Sequence, residues 1–574
     1  MGLVRRRTAG WLVGRRKRAR RQELFKSIVI FSALVLLLGT FLALPQAAQK
    51  RGVAGGAAQP LFETSDRCMA CHNGLTAPSG EDISIGFNWR ASMMANSARD
   101  PYWQAGVRRE SIDHPESRAA IEDECSICHM PMATYEARTQ GREGEVFAHL
   151  PFDREKREDR LAADGVSCST CHQITEEKLG TRESFIGGFV VDTTRTKGER
   201  PVYGPFEVDS GHVRIMRTSS GFRPTEATHI RESELCATCH TLYTQALGPG
   251  GQPIGELPEQ MPYLEWVNSD YREAKSCQAC HMPVVSAEVP ITSVLGKPRE
   301  GFSRHTFVGG NFFMQRMLNR YRNELGVVAL PQEMEAAAAR TIAHLQAESA
   351  RVRIDRMVLR EGRLLADISI ENLGGHKLPT AYPSRRVWLH VVVRDRNGRT
   401  VFESGSINAQ GLIAGNDNDA DPGRFETHYT EIESGDQVQI YEAIMGSSAG
   451  TPTTGLLTAV RYLKDNRLLP KGFDKAAANK DIAVQGGAAG DSDFAGGGDR
   501  IRYSVAVGDA GGPFRIEAEL RYQPISYRWA ENLRPYNAEE PQRFVRYYES
   551  MSSDSSVVLA STAAASSPAG AVPQ

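Results

Sequence analysis

The sequence predicts a mixed fold: a single N-terminal transmembrane helix, a mainly helical and loop-rich region that carries the cysteines, and a C-terminal β-sandwich. Three observations predict it. A basic stretch precedes an uncharged apolar run at 28–44, all ten cysteines fall between residues 68 and 280, and apolar and polar residues alternate strictly in segments after residue 349. At roughly 150 residues per domain, a chain of 574 residues has room for about four domains.

The first predicted element is a membrane-spanning helix over residues 28–44. Residues 1–27 contain ten basic residues against Glu23 alone, and positive charge on this side retains the amino terminus in the cytoplasm. The 17 uncharged residues lie at the lower end of the roughly 17–25 that span a bilayer. A cleaved signal peptide is the alternative, although Pro45 and Gln46 disturb its cleavage pattern. Either way we expect export, and the anchor predicts a single-pass inner-membrane protein with its bulk in the bacterial periplasm.

All ten cysteines occur in C-x-x-C-H motifs. The pairs are Cys68 and Cys71, Cys125 and Cys128, Cys168 and Cys171, Cys236 and Cys239, and Cys277 and Cys280. The histidines that follow them are His72, His129, His172, His240 and His281. This is the pattern of c-type haem attachment, in which two thiols reach the vinyl groups of one porphyrin and the next residue places an imidazole under the iron.

Zinc and disulfides are the alternative uses of these cysteines. Successive motifs start 57, 43, 68 and 41 residues apart, whereas zinc ribbons pair two C-x-x-C units at tighter spacing. The sequence therefore predicts five covalently bound c-type haems in a domain over 60–310, followed by a helical connector over 311–349. The balanced charge, 68 basic against 69 acidic residues, gives no reason to expect nucleic acid as a partner.

Each haem iron needs a second axial ligand or an open site. Six histidines outside the motifs lie in loop-like or polar surroundings: His114, His149, His212, His229, His305 and His376. Met94, on a predicted helix with Met93, is a seventh candidate, with core packing as its alternative role. We assign structural roles to His344, His390 and His428. Six histidines for five irons give no indication of a vacant site.

The segment 350–525 predicts a β-sandwich. Apolar and polar residues alternate at 366–370 and 514–522, which is the period of a half-buried strand, and 387–394 is a more continuous apolar run. His376 would lie in the loop after the second strand. If His376 binds a haem, the sandwich is clamped onto the haem domain.

Two further segments have distinctive composition. The acidic stretch 416–421 begins like a calcium loop, but Pro422 and His428 stand where an EF-hand has glycine and glutamate. A solvated acidic turn is our main interpretation there, and calcium is a secondary cofactor hypothesis. Residues 552–574 are rich in Ser and Ala and predict a disordered tail.

The motifs resemble the multihaem cytochrome c superfamily, and more narrowly its cytochrome c-552/4-type domains. The similar phrases are Gly165-Val166-Ser167, Ser233-Glu234-Leu235, Cys-His-Met-Pro at 128–131 and 280–283, Arg304-His305-Thr306-Phe307 and Gly375-His376-Lys377-Leu378-Pro379-Thr380. The resemblance spans roughly residues 60–400. It implies bis-histidine, low-spin haems in closely stacked pairs and periplasmic electron transfer. The superfamily includes pentahaem nitrite reductases, whose catalytic haem typically has lysine in place of the motif histidine, and this sequence has no C-x-x-C-K motif.

Three functions follow as hypotheses. The first is an anchored pentahaem carrier that passes electrons from a membrane donor to soluble or outer acceptors, with redox proteins and stacked multihaem cytochromes as partners. The second is an oxidoreductase for a small nitrogen or sulfur oxyanion at one open haem, where Arg108, Arg109 and Lys275 could guide the anion. In the third, the β-sandwich binds a partner protein or surface. The supply of ligands favours the carrier, and we assign no catalytic residue.

Overall fold

Residues 60–566 are described in the computed structural model of the chain, and they form one compact unit. The motif-bearing part is built from short helices. These are α1 (Ser65–Met69), α2 (Ile85–Arg90), α3 (Pro101–Asp113), α4 (Arg118–His129), α5 (Pro131–Thr139), α6 (Arg157–Ala163), α7 (Cys168–Cys171), α8 (Ser210–Ser220), α9 (Ser233–His240), α10 (Pro262–Val267) and α11 (Cys277–His281). Helix α3 begins at a proline, and the Asp100 carboxylate caps it by accepting the backbone N–H groups of Tyr102 and Trp103.

Two small sheets lie among these helices. Strands β1 (Arg200–Gly204) and β2 (Phe222–Glu226) pair in parallel, and β3 (Leu242–Leu247) and β4 (Pro253–Gln260) form an antiparallel hairpin.

Three helices connect this part to the C-terminal sheets: α12 (Phe312–Arg320), α13 (Arg322–Leu325) and α14 (Pro331–Glu348). The Glu333 carboxylate accepts the backbone N–H of Leu330 at 2.9 Å at the start of α14, which satisfies a free donor of the first turn. The same carboxylate pairs with Arg90 of α2 at 2.7 Å. Helix α14 is thereby fixed against the motif-bearing part.

The C-terminal part consists of two facing sheets and three helices. Its strands are β5 (Ala350–Arg360), β6 (Arg363–Asn372), β7 (Arg386–Arg394), β8 (Thr400–Ser404), β9 (Glu431–Ile432), β10 (Ile440–Ser447), β11 (Ala459–Asp465), β12 (Gly498–Ala506), β13 (Arg515–Gln523) and β14 (Val557–Ala565). Its helices are α15 (Asp417–Ala420), α16 (Tyr527–Glu531) and α17 (Glu539–Glu549). One sheet has the order β11-β10-β7-β13-β14, with β8 also paired to β7, and the other has the order β5-β6-β12-β9.

The alternating segments of the sequence form β6 and β13. Ile368 of β6 and Leu520 of β13 are fully buried in one hydrophobic core to which both sheets contribute. Polar groups also join the two parts of the chain. Arg108 of α3 forms a two-bond ion pair with Glu540 of α17, at 2.8 and 2.9 Å, and the Glu110 carboxylate accepts the backbone N–H of Leu456 at 2.8 Å.

The predicted fold class is wrong. The expected transmembrane segment, 28–44, lies outside the described residues, and within 60–566 no helix is long and apolar enough to cross a bilayer. The motif-bearing part, expected to be mainly helix and loop, also contains two sheets, and helices α15 to α17 accompany the C-terminal strands. The structure therefore has a mixed helix and sheet architecture with several sheets.

The predicted disordered tail also needs correction where it is described. Residues 557–565 form strand β14, which pairs antiparallel with β13. The Ser/Ala composition suggested disorder because small side chains bury little apolar area by themselves. In the fold, Leu559 is 3% exposed. The backbone N–H and C=O groups of β14 form hydrogen bonds with those of β13.

Candidate functional site

The five motifs share one local geometry. Each lies on a short helix or at its end, on α1, α4, α7, α9 and α11. Residues three apart on a helix lie on the same face, so the two cysteines of each motif project together and the histidine follows directly. All ten cysteines are free thiols, as covalent attachment of a haem requires.

The motifs come together in space in an order that differs from their order in the chain. The thiol of Cys168 lies beside that of Cys68, which joins the third motif to the first. In the fourth motif, Cys236 lies beside Cys277 of the fifth motif. Cys239, also of the fourth motif, lies beside Cys128 of the second.

The fourth motif is therefore the branch point of the cluster. Besides these two contacts, Cys239 lies close enough to Cys171 of the third motif to interact with it electrostatically. The resulting series runs from the first motif to the third and then to the fourth, where the second and fifth join.

Four of the five motif histidines are oriented by backbone carbonyl groups. Nδ1 lies 2.6 Å from Ile291 O in His72, 3.0 Å from Ser97 O in His129, 2.5 Å from Tyr203 O in His172 and 2.5 Å from Val308 O in His281. Histidines that bind metals usually donate the second ring N–H in this way, which leaves Nε2 as the ligand atom. No described residue forms a hydrogen bond with the ring of His240.

Two of the six predicted distal histidines face motif histidines. The ring centres of His172 and His305 are 6.3 Å apart with an interplanar angle of 20°, and those of His281 and His376 are 6.2 Å apart with an angle of 13°. Two imidazoles bound to opposite sides of one metal ion have ring centres about 6.3 Å apart, because each metal–nitrogen bond is about 2.0 Å long. Both pairs have the separation that two axial ligands of one haem need.

Three more candidates have a ring nitrogen suited to ligation. Nε2 of His114 and of His212 is buried and has no hydrogen-bond partner among the described residues, which is costly unless a metal or another group satisfies it. Nδ1 of His212 lies 2.8 Å from Asp209, and Nδ1 of His149 lies 2.7 Å from Asp159. A carboxylate in this position orients a metal-binding imidazole.

The remaining two candidates are placed differently. Nε2 of His229 is bonded to the backbone carbonyl of Ile174 at 2.9 Å, so only its Nδ1 is unengaged. Helix α2 ends at Arg90, so Met94 lies in a turn beyond it. Met94 is half-buried there. The helix predicted through Met94 is therefore wrong.

Partial burial keeps two of these imidazoles neutral. It lowers the pKa of His129 to about 4 and of His305 to about 3. The neutral ring is the form that binds a metal, and the protein therefore presents ligands that need no deprotonation at neutral pH.

Sequence reasoning underestimated His344. Its ring centre lies 6.1 Å from that of His281, at an angle of 58°. The Ala-rich helical pattern indicated a surface position, but α14 passes beside the fifth motif. No local signal in the sequence reports this proximity. His390, in contrast, lies on β7 with Nε2 3.0 Å from Glu403.

His428 belongs to a buried polar cluster with Asp491 and Asp499. The side-chain amide groups of Gln439 and Asn466 both point their N–H donors at Nδ1, at 2.9 and 3.2 Å, and backbone N–H groups hold the amide oxygens on the other side. Nδ1 must therefore accept, and Nε2 carries the proton and donates to Asp491 at 3.0 Å. This tautomer has no lone pair for a metal at Nε2.

The acidic stretch 416–421 does not assemble a calcium site. Asp419 is paired with the buried Arg386 at 2.8 Å, Asp417 with Arg424 at 2.6 Å, and Asp421 accepts the backbone N–H of Gly423. A calcium loop needs its carboxylates to converge on one point. Here each is occupied by a different partner, so the calcium hypothesis is not supported.

Arg385 lies between the fourth and fifth motifs. Its electrostatic influence reaches both His240 and His376. The guanidinium donates to Thr380 O at 3.0 Å and to Asn311 Oδ1 at 3.3 Å, and no carboxylate of the described residues pairs with it. A guanidinium is suited to pair with a carboxylate, and haem carries two propionate carboxylates. The residues around these motifs thus fit covalently held haem groups.

Comparison with known proteins adds little. No family model matches the chain, and no curated protein matches it. The chain is similar to a solved structure, a penta-heme cytochrome c552 from Thermochromatium tepidum, with 15% identity and a TM-score of 0.49 over 88% of this chain and 98% of the other. We draw no conclusion about fold or function from a likeness at this level.

Proposed function

We propose that the chain is a multihaem c-type cytochrome that carries five covalent haems and transfers electrons. One observation carries the proposal: two motif histidines, His172 and His281, face His305 and His376 at the ring separation of two axial ligands. The haem iron supplies one-electron redox chemistry. The chain supplies the thiols and orients the imidazoles through backbone carbonyl groups.

The arrangement of the motifs supports transfer rather than isolated redox sites. Neighbouring motifs share thiol contacts, such as that of Cys68 with Cys168, and the fourth motif touches the second and fifth. Haems attached to motifs this close together would form a continuous branched series for electron transfer. The branch gives the cluster three ends, at the first, second and fifth motifs, at which redox proteins or other stacked multihaem cytochromes are the proposed partners.

We also propose that the protein works outside the bacterial cytoplasm, in the periplasm. The support is the chemistry of the motifs, because ten thiols paired for haem attachment suit an oxidising compartment. Donor and acceptor proteins would meet it there.

The test is to express the full chain with a c-type haem maturation system. We expect five haems per chain by mass and by pyridine haemochrome absorbance, and low-spin signals in electron paramagnetic resonance. The paired variant Cys168→Ser/Cys171→Ser should lose one haem, whereas His390→Ala, a control in β7, should lose none. A chain that matures without covalent haem would refute the proposal.

A second candidate function is the conversion of a small nitrogen or sulfur oxyanion at one open haem. The observation that favours it is the fourth motif. Within residues 60–566, His240 lacks the carbonyl partner of the other motif histidines, and Arg385 offers a positive charge without a carboxylate partner. A high-spin signal together with turnover of nitrite, hydroxylamine or sulfite would support this function. Turnover lost in Arg385→Gln but kept in the surface control Arg360→Gln would assign it to this position, and low-spin signals without turnover would exclude it.

A further inference from the structure

His376 lies in a loop of the C-terminal part, the connection between β6 and β7. A group of buried charged side chains lies beside this loop and includes the next residue, Lys377. The group consists of Glu265 from α10, Asp465 at the end of β11, Arg467 just beyond it and Lys377, and we call it the clamp network. Asp465 and Lys377 are 2% and 0% exposed, and Glu265 is fully buried.

The clamp network is continuous. The Asp465 carboxylate accepts Lys377 Nζ at 2.7 Å and Arg467 Nε and Nη2 at 2.8 and 2.7 Å. Arg467 Nη1 lies 3.0 Å from Glu265 Oε1, and Glu265 Oε2 accepts the Thr380 hydroxyl at 2.5 Å. Two acids balance two bases, so the buried group is neutral overall and each charge has a partner.

This network holds the peptide unit that joins His376 to Lys377. The Glu265 carboxylate accepts the backbone N–H of Lys377 at 3.1 Å, and His376 Nδ1 lies 3.0 Å from the carbonyl oxygen of Lys377. The Asn372 amide donates to His376 O at 2.9 Å. Leu378 and Leu468, next to the clamp network, exchange two backbone hydrogen bonds at 2.9 Å. The orientation of the ring therefore depends on contacts of Lys377 rather than on packing alone.

A competing imidazole lies near the same motif histidine. His344 on α14 has its ring centre 6.1 Å from that of His281, almost the same separation as the 6.2 Å of His376. The two differ in how they are held. The His376 ring is hydrogen-bonded to the Lys377 carbonyl, and the peptide unit that follows His376 is held by Glu265 and Asn372, whereas no described residue forms a hydrogen bond with the ring of His344.

We propose that the clamp network is a positioning device that selects His376 over His344 as the second axial ligand of the fifth haem. The inference rests on the proposed function, since it requires a haem at Cys277 and Cys280. A buried, charge-balanced group gives one conformation of the loop, because any other conformation leaves a buried charge without its partner. The C-terminal sheets thereby determine a ligand in the motif-bearing part.

The experiment compares two clamp variants, Glu265→Gln and Asp465→Asn, with Asp419→Asn, which breaks a buried ion pair of the same sheets away from the motifs. All are made in the full chain with covalent haem. We expect five haems in every variant. In the clamp variants about one fifth of the iron should change its electron paramagnetic resonance signal, with one shifted reduction potential. Asp419→Asn should keep the wild-type signals.

The form of the change identifies the replacement ligand. In one outcome, a clamp variant shows a new low-spin signal, and this signal becomes high-spin when His344→Ala is added; His344 has then replaced His376. In the other outcome, the clamp variant by itself shows a high-spin signal, and the second ligand position is then open. Both support the proposal. Wild-type signals and potentials in folded clamp variants would overturn it. If Asp465→Asn does not accumulate, the milder Glu265→Gln decides. Loss of covalent haem in the wild-type chain would instead refute the proposed function.

Discussion

Asp419→Asn will destabilise the protein far more than Asp417→Asn, although both aspartates lie on helix α15. Asp419 accepts two hydrogen bonds from Arg386, at 2.8 and 2.9 Å, and both side chains are 2% exposed. Removing one partner of a buried ion pair costs about 3–5 kcal/mol. In the variant Arg386 keeps the neutral acceptors Gln523 Oε1 and Gly411 O, so we expect the lower end, about 3 kcal/mol.

Asp417→Asn is the matched control. Asp417 pairs with Arg424 at 2.6 Å, but the two side chains are 33% and 64% exposed, and exposed pairs contribute about 0–1 kcal/mol. Denaturant unfolding of the matured full chain, followed by circular dichroism, gives the free energy of unfolding of each variant. Equal losses in the two variants, or a loss below about 1 kcal/mol for Asp419→Asn, would refute the reasoning.

Three further predictions concern the ligands, the pH dependence and the backbone. His305→Ala should convert about one fifth of the iron to the high-spin form, because His172 loses its facing imidazole; an unchanged electron paramagnetic resonance spectrum would contradict this. Burial raises the pKa of Glu259 to about 7, above the unfolded value of about 4.3, so the folded state holds this proton more tightly and stability falls as the pH rises between these values. Glu259→Gln should reduce the difference between unfolding midpoints measured at about pH 5 and about pH 8, and an unaltered difference would exclude Glu259 as its source. Gly165→Ala should lower stability by about 1–3 kcal/mol, because φ is +60° and a Cβ would lie 2.6 Å from Met94 O; Gly106→Ala, which meets nothing within 4 Å, should raise helix stability by up to about 1 kcal/mol, and thermal unfolding compares the two.

The sequence alone predicted the chemistry of the site, because that chemistry is local. The two cysteines and the histidine of a motif fall within five consecutive residues, such as 168–172, and a single helical turn brings them together. Strands β6 and β13 were predictable for a similar reason, since alternation has the period of a half-buried strand. Strand β14 was not predictable, because small residues give a weak pattern of apolar alternation. Its pairing with β13 makes this segment a strand.

The burial of the charged residues in the clamp network could not be predicted from the sequence. The clamp network contains two acids and two bases drawn from three distant segments, and each residue taken singly is of a type usually found at the surface. Their burial becomes favourable only when all four meet. Nothing in the pattern around Glu265 or Asp465 indicates this meeting.

What the sequence determined by itself is therefore the set of groups: ten thiols, five motif histidines and a list of candidate ligands. Only the tertiary structure decided which rings face each other. His305 follows His172 by 133 residues and His376 follows His281 by 95, and no local periodicity connects positions so far apart. Packing of the β6–β7 loop against α10 and β11 brings His376 to the fifth motif, because the buried charges of that loop are satisfied in this arrangement.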